Sequence, residues 1–181
     1  MLRRPASAAG EPPANILASQ TELYINSVRF ARTAFGRDWY VWVAGPPSLL
    51  PAGRCNRSVG VTLYGLGGRS GGGGTGGGTA AQIESRGMWI SIGGGTGADP
   101  ARTLFAGVLP DGVATVTLRY PAGKLGGFSH RSGPALTVTG HAVNNVLVIS
   151  VERAGEQARV AVTTTWRAAN GTVINTLHGA I

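Results

Sequence analysis

The residues with the clearest potential for catalysis are the single cysteine and the polar side chains downstream of it. Cys55 is followed along the chain by His141 and Asn144. Cysteine, histidine and asparagine occur in this order in papain-like sites, where the imidazole activates the thiol and the amide orients the imidazole. A small secreted hydrolase using these three residues is therefore one hypothesis. A buried, unreactive thiol is the other, since the residues after Cys55 favour a strand and not the helix start that usually activates a thiol.

Other catalytic patterns are weak. The three histidines have no spacing typical of metal ligands, and the eight acidic residues suggest no pair suited to glycoside hydrolysis. The segment Gly68–Gly72 fits the G-x-S-x-G pattern of hydrolases, but it lies in a run of glycines where such a match arises from composition. We expect no metal site and no cofactor.

Aromatic residues offer a candidate binding surface. In the segment 39–43, Trp39, Val41 and Val43 alternate with Tyr40 and Trp42, which is typical of a β-strand. If Trp39 faces the core, Tyr40 and Trp42 face the opposite way and could stack on sugar rings. A strand buried on both faces is the alternative, and the sequence leaves both open.

Basic residues offer a second candidate surface. The chain carries 16 basic and 8 acidic residues, a net charge of +8, and all but one of the basic residues are arginines. Arg119 lies on a predicted strand, and Phe128 and Arg131 lie in a glycine-rich basic segment. Guanidinium groups bind phosphates and carboxylates, which suits an anionic or glycan polymer, or another protein, as partner. A GC-rich genome, which encodes arginine in place of lysine, is the alternative explanation for the excess of arginine. Nucleic-acid binding is a third hypothesis, weakened by the scatter of arginines along the whole chain.

Short strands must position these residues. Strands are predicted around Leu23–Phe30, 39–43, 59–63, 88–92, 113–120, 136–139, 146–151, 158–166 and 172–177. The continuous β-branched run 146–151 predicts a central strand. Asn170-Gly171 predicts a two-residue hairpin turn with positive φ at both positions. One helix is expected near 80–86, with a capping box at Thr79 and Gln82 and a C-terminal glycine at Gly87.

These elements predict an all-β fold, a β-sandwich or partly closed barrel of about 8–9 short strands. Residues 1–21 form an extended, proline-rich tail, and 22–181 a single β-rich domain. The glycine run 67–78 is expected to be a mobile surface loop, because so many glycines lose too much entropy on ordering.

Several segments resemble uncharacterised secreted or envelope-anchored proteins of high-GC Gram-positive bacteria. They are Val28–Thr33, Leu109–Val116, Val143–Val146 and Thr165–Ile174. The resemblance implies an extracellular or cell-envelope location and carries no catalytic residues. The chain contains no apolar run long enough to span a membrane and no signal peptide of its own. The leading hypothesis is thus a non-catalytic extracellular or envelope binding module.

Overall fold

The computed structural model describes residues 29–44, 60–67, 75–78, 80–93, 103–124, 132–152 and 162–179. The chain divides into two compact units, Met1–Ile90 and Ser91–Ile181. This boundary lies inside the range 22–181 that the sequence assigns to one domain. The predicted tail 1–21, Cys55 and the loop residues Phe128 and Arg131 lie outside the described residues.

The described part of the first unit is one antiparallel sheet followed by a helix and the start of a further strand. The sheet has the strand order β1-β2-β3-β4. The elements are β1 (Arg29–Ala34), β2 (Arg37–Ala44), β3 (Gly60–Gly67), β4 (Thr75–Gly78), α1 (Ala80–Arg86) and β5 (Met88–Gly93), which crosses into the second unit.

A two-residue turn joins β1 to β2. Phe35 and Gly36 have φ of 53° and 68°, the backbone of a type I′ turn, whose twist matches that of the flanking strands. Sequence patterning does not reveal this hairpin, because phenylalanine rarely takes positive φ. β1 therefore runs on to Ala34, beyond the predicted end near Phe30.

The alternating segment 39–43 is confirmed as strand β2, and it supplies the core of this sheet. Trp39 is fully buried opposite Gly65 of β3. A Cβ added to Gly65 would lie 2.9 Å from the Trp39 ring, so the absence of a side chain at Gly65 is what lets the indole lie across β3.

The glycine run is partly ordered, which corrects the prediction of a loop throughout 67–78. Thr75–Gly78 forms β4, with Gly78 opposite Val61 and Thr75 opposite Tyr64. Ladder hydrogen bonds use only backbone groups, so pairing with β3 stabilises a strand that has almost no side chains. The glycine content of the segment indicates that ordering it has a high entropic cost. It does not indicate that β3 lies beside the segment and can pair with it.

Helix α1 is confirmed with its predicted bounds. Gly87 has a φ of 71° and its amide donates to the Ile83 carbonyl, 2.9 Å away, which is the left-handed glycine cap expected at a helix C-terminus. Ile83 is the buried residue on a helix whose other described side chains are exposed.

The second unit contains a four-stranded antiparallel sheet of order β10-β7-β12-β13, a sheet of order β11-β6-β5 and the short pair β8-β9. The strands are β6 (Thr103–Val108), β7 (Thr115–Tyr120), β8 (Gly123–Lys124), β9 (Ser132–Gly133), β10 (Leu136–His141), β11 (Val146–Val151), β12 (Val162–Arg167) and β13 (Val173–Gly179). No described sheet closes on itself, and the all-β class predicted from the sequence is confirmed.

The inner face of the four-stranded sheet is largely apolar, and the buried Thr164 of β12 also lies on it. Val116, Leu118 and Trp166 are buried there by alternation along β7 and β12. A Cβ added to Gly140 of β10 would lie 2.7 Å from Leu147 Cδ1 of β11, so the two sheets of the second unit meet at Gly140.

The prediction that 146–151 forms a central strand needs correction. The strand exists with those bounds, but β11 stands at one end of its described sheet, and β6, which the sequence analysis missed, takes the middle position. The run is apolar because both faces of β11 are buried: Val146, Leu147, Val148 and Ile149 all belong to the core. Burial on both faces requires covering layers above and below the strand, and it does not require a strand on each side.

The last hairpin is present, but its turn differs from the predicted one. Gly171 has a φ of 84°, whereas Asn170 does not have positive φ. Hydrogen bonds from Gly171 N to Ala168 O and from Ala168 N to Thr172 O define a three-residue loop, a type I turn followed by a left-handed glycine. The side chain of Asn170 accepts a 3.0 Å bond from Thr172 N, which stabilises this alternative.

The chain uses the expected two-residue geometry elsewhere. Asn144 and Asn145 have φ of 51° and 65°, and Val143 and Val146 exchange two backbone hydrogen bonds of 2.9 Å. Asn145 Nδ2 also donates to Asp111 Oδ1 at 2.9 Å, which ties this turn to the turn at Pro110–Gly112.

A candidate binding face on the second unit

The outer face of the sheet β10-β7-β12-β13 carries an ordered array of polar side chains. Register places Thr139, Thr117, Thr165 and Thr176 in one row across the four strands. A second row contains Thr137, Arg119, Thr163 and His178, and a third contains His141, Thr115 and Arg167. We call these eleven residues the threonine face.

Alternation along each strand produces this face. Threonines at every second position, as in Thr115-Val116-Thr117 and Thr137-Val138-Thr139, place the hydroxyls on one side of a strand and the apolar side chains on the other. The strands β7 and β10 show this pattern. In β12, Thr163 and Thr165 follow it, but the residue between them is Thr164, which is buried on the opposite face. Arg119 is the one binding candidate named from the sequence that lies on this face. The threonines were not named, although their repeated spacing could have indicated them.

The face is accessible. Its exposed members are Arg119, Thr137, Thr139, His141, Arg167, Thr176 and His178, and its half-buried members are Thr115, Thr117, Thr163 and Thr165. Neighbouring strands lie about 4.8 Å apart and alternate residues of a strand about 6.8 Å apart, so the hydroxyls form a regular grid.

Side-chain hydrogen bonds orient part of the grid. The hydroxyls of Thr117 and Thr139 lie 3.1 Å apart. Thr163 Oγ1 lies 3.4 Å from His178 Nδ1, which turns the imidazole along its row toward Arg119's strand. Arg167 Nη1 donates to the Gly171 carbonyl at 3.0 Å, which anchors that guanidinium beside the hairpin loop.

The charge of the face has one sign. It holds two arginines and two histidines, and the strands β7, β10, β12 and β13 contain no aspartate or glutamate. Arg119 and Arg167 lie on adjacent strands and are offset by four residues, which corresponds to about 14 Å along the strands. An extended anion lying along β7 and β12 could therefore contact both guanidinium groups and the hydroxyls between them.

The predicted aromatic platform is not accessible. Tyr40 is 6% exposed and Trp42 is 1% exposed, so the structure decides for a strand buried on both faces. Their rings pack within the first sheet, with Tyr40 edge-on to Phe30 at 5.7 Å and Trp42 against Tyr64 at 5.6 Å. These aromatics stabilise the sheet and do not offer a stacking surface.

The residues of the catalytic hypothesis are only partly described. His141 is exposed at the end of β10, and Asn144 is exposed in the two-residue turn that follows. Asn144 thus has a clear backbone function, because asparagine tolerates the left-handed conformation that this turn requires. Cys55 lies outside the described residues.

Within the ranges that the structure describes, no group of three or more His, Cys, Asp or Glu side chains converges on a possible metal position. No described helix has the length and hydropathy that crossing a lipid bilayer would require.

Comparison with known proteins adds no relative: no protein-family model, no curated protein and no solved structure matches this chain.

Proposed function

We propose that this protein is a non-catalytic extracellular or cell-envelope module whose threonine face binds an anionic polysaccharide or related cell-wall polymer. The observation that carries the proposal is the composition of that face: hydroxyls in register, two arginines whose backbone positions are about 14 Å apart along the strands, two imidazoles and no carboxylate.

Each group has a function in such binding. Guanidinium groups donate paired hydrogen bonds to carboxylates or phosphates. Threonine hydroxyls both donate and accept, as sugar hydroxyls do, so rows of them suit a polyhydroxylated chain. The bond between Thr163 and His178 Nδ1 leaves Nε2 as the ring nitrogen that a ligand would meet.

The location rests on the resemblance of Leu109–Val116 and Thr165–Ile174 to envelope proteins of high-GC Gram-positive bacteria. These two segments overlap the ends of three strands of the sheet that carries the threonine face, at 115–116 of β7, 165–167 of β12 and 173–174 of β13. The proposed location and the proposed binding face therefore overlap in part along the chain.

The test is sedimentation of the protein with purified insoluble cell wall, intact or chemically stripped of its anionic polymers. We expect binding to intact wall and much weaker binding to stripped wall. Arg119→Ser should weaken binding about twofold to fivefold, since an exposed ion pair contributes roughly 0.2–1 kcal/mol, and the double variant with Arg167→Ser about tenfold.

Arg86→Ser is the matched control, because Arg86 is an exposed arginine on α1, outside the threonine face. It should bind like the unmodified protein. Equal loss of binding in Arg86→Ser and Arg119→Ser would show that net charge, and not this face, is responsible. Undiminished binding to stripped wall would refute an anionic ligand.

A further inference from the structure

Strand β13 stands at an end of its sheet and has the composition of a strand that can pair. Its one neighbour among the described strands is β12. The segment 173–179 contains none of the 16 basic residues, no acidic residue and no proline. Natural edge strands usually carry such residues as protection against pairing with another chain, and β13 lacks them.

The hydrogen-bond pattern shows which way the β13 amides point. Ala114 N donates to the Arg167 oxygen at 2.8 Å, so the backbone of Arg167 in β12 bonds toward β7. Ladder bonds of an antiparallel strand alternate sides from one residue to the next. Thr117 therefore bonds toward β12, and its partner Thr165 bonds toward β7.

The alternation continues into β13. Thr164 bonds toward β13 and meets Leu177, so the backbone groups of Thr176 and His178 point away from β12. The alternation is not continued to Ile174, because the register of β12 and β13 shifts between Trp166 and Arg167. An independent contact agrees: Thr176 N donates to the side-chain oxygen of its neighbour Asn175, at 2.8 Å, and not to a strand.

The edge of β13 on which no described strand pairs is also apolar at its start. Val173 is 47% exposed and Ile174 is 46% exposed, two adjacent members of the small set of large hydrophobic side chains exposed in the described chain. Uncharged, β-favouring residues with outward amides are suited to strand addition.

We propose that two copies of this chain pair through β13, antiparallel, about a two-fold axis at Thr176. Thr176 of one copy then exchanges both backbone hydrogen bonds with Thr176 of the other, and Ile174 lies opposite His178. Such a self-pair satisfies the alternation of an antiparallel ladder at its centre, because the backbone groups of Thr176 and His178 point outward. Strands without charge let copies that each carry +8 meet without direct repulsion at the contact.

The pairing joins two four-stranded sheets into one of eight strands. The row formed by Thr139, Thr117, Thr165 and Thr176 continues into the same row of the second copy, in reverse order. The dimer rests on the edge alone and does not depend on what the threonine face binds. The Asn175 side chain occupies the Thr176 amide in the single chain and must move when a second copy binds.

The first experiment uses the unmodified protein. Sedimentation velocity at protein concentrations from about 1 μM to about 500 μM should show a monomer–dimer equilibrium. This range covers weak to moderate dimer dissociation constants. Amide exchange of Thr176 and His178 should slow by about tenfold when nine chains in ten are dimeric, because exchange then requires the monomer. Thr139, on the opposite edge, should not change. A monomer at every concentration overturns the proposal.

The second experiment compares two proline variants. Thr176→Pro removes the central outward donor without touching the ladder to β12, and edge strands tolerate proline there. Thr139→Pro is the matched control, since its amide also points outward, on β10. We expect Thr176→Pro to be a folded monomer and Thr139→Pro to dimerise. If both variants dimerise equally, the proposal is overturned. If Thr176→Pro does not fold, the amide-exchange measurements on the unmodified protein test the proposal instead.

Discussion

Trp42 and Tyr40 illustrate how a residue's chemistry and its accessibility can differ. Both rings are suited to stacking on sugars, yet both are buried in the first sheet. Removal of a buried tryptophan leaves a cavity that costs roughly 3–5 kcal/mol, so a loss of binding in Trp42→Ala would report unfolding. Exposed arginines on the threonine face are therefore the appropriate residues for testing binding.

Tyr40 supplies a prediction about alkaline stability. Burial raises the pKa of the Tyr40 phenol, and the nearby Asp38 carboxylate raises it further. A group whose pKa is higher in the folded state contributes stability that is fully present below the unfolded value, near 10. That stability is lost as the pH rises through the folded pKa, because the unfolded chain loses the proton first.

Denaturation midpoints measured from pH 8 to pH 11 should therefore fall above about pH 10. Tyr40→Phe cannot ionise, so its midpoint should fall less steeply over the same interval. Tyr64→Phe, in the neighbouring strand β3, is the matched control and should keep the slope of the unmodified protein. If both variants keep that slope, burial of the Tyr40 phenol does not govern alkaline unfolding.

At the scale of elements, substitutions in the last hairpin can distinguish the observed three-residue loop from the predicted two-residue turn. In the observed three-residue loop, Gly171 alone needs positive φ, so Gly171→Val should destabilise by roughly 1–2 kcal/mol. Asn170 contributes one hydrogen bond to Thr172 N, so Asn170→Ala should cost about 0.5–1.5 kcal/mol. A two-residue turn would instead need positive φ at both positions and would penalise alanine at 170 more strongly than the lost bond alone.

Urea denaturation of the two variants measures this difference. The same pair of changes at Asn144 and Asn145, where both φ values are positive, provides the comparison with a true two-residue turn. If the substitutions at 170 and 171 lower the free energy of unfolding equally, the hairpin in solution has the two-residue geometry expected from the Asn-Gly dipeptide.

For the whole molecule, the salt dependence of binding separates the proposed ligand from nucleic acid. Two guanidinium contacts to an anionic polymer should give a decrease in log K with log salt of slope about 2, since about 0.9 counterion is released for each contact. A protein that used arginines along its whole length to bind DNA would show a much steeper slope. Hydrogen bonds to threonine hydroxyls should survive at 1 M salt, where screening acts within about 3 Å.

Competition by soluble polymers is the corresponding control for ligand identity. A soluble polyuronate should displace the protein from cell wall, and uncharged dextran should not do so at low salt. DNA should compete no better than polyuronate at equal charge, and its effect should disappear at high salt. Stronger competition by DNA at physiological salt would favour the nucleic-acid hypothesis over the proposed one.

The sequence by itself determined the elements whose signals are local. Period-2 alternation identified β2, β3, β5, β7 and β10, and α1 was bounded by its C-terminal glycine Gly87. These predictions succeed because alternation and left-handed glycine caps depend only on residues a few positions away along the chain. Arg119, a binding candidate on a strand predicted in this way, is exposed on β7, and its function in binding stays a prediction.

Tertiary structure alone decided what depends on residues distant in the chain. Pairing with β3 ordered the glycines of β4, and neighbouring rings buried Tyr40 and Trp42. The threonine face exists because pairing aligns β10, β7, β12 and β13, residues from 115 to 178, in one register. Alternation in the sequence assigns the residues of a strand to two faces. Only the layers that pack against the strand decide which face is exposed to solvent.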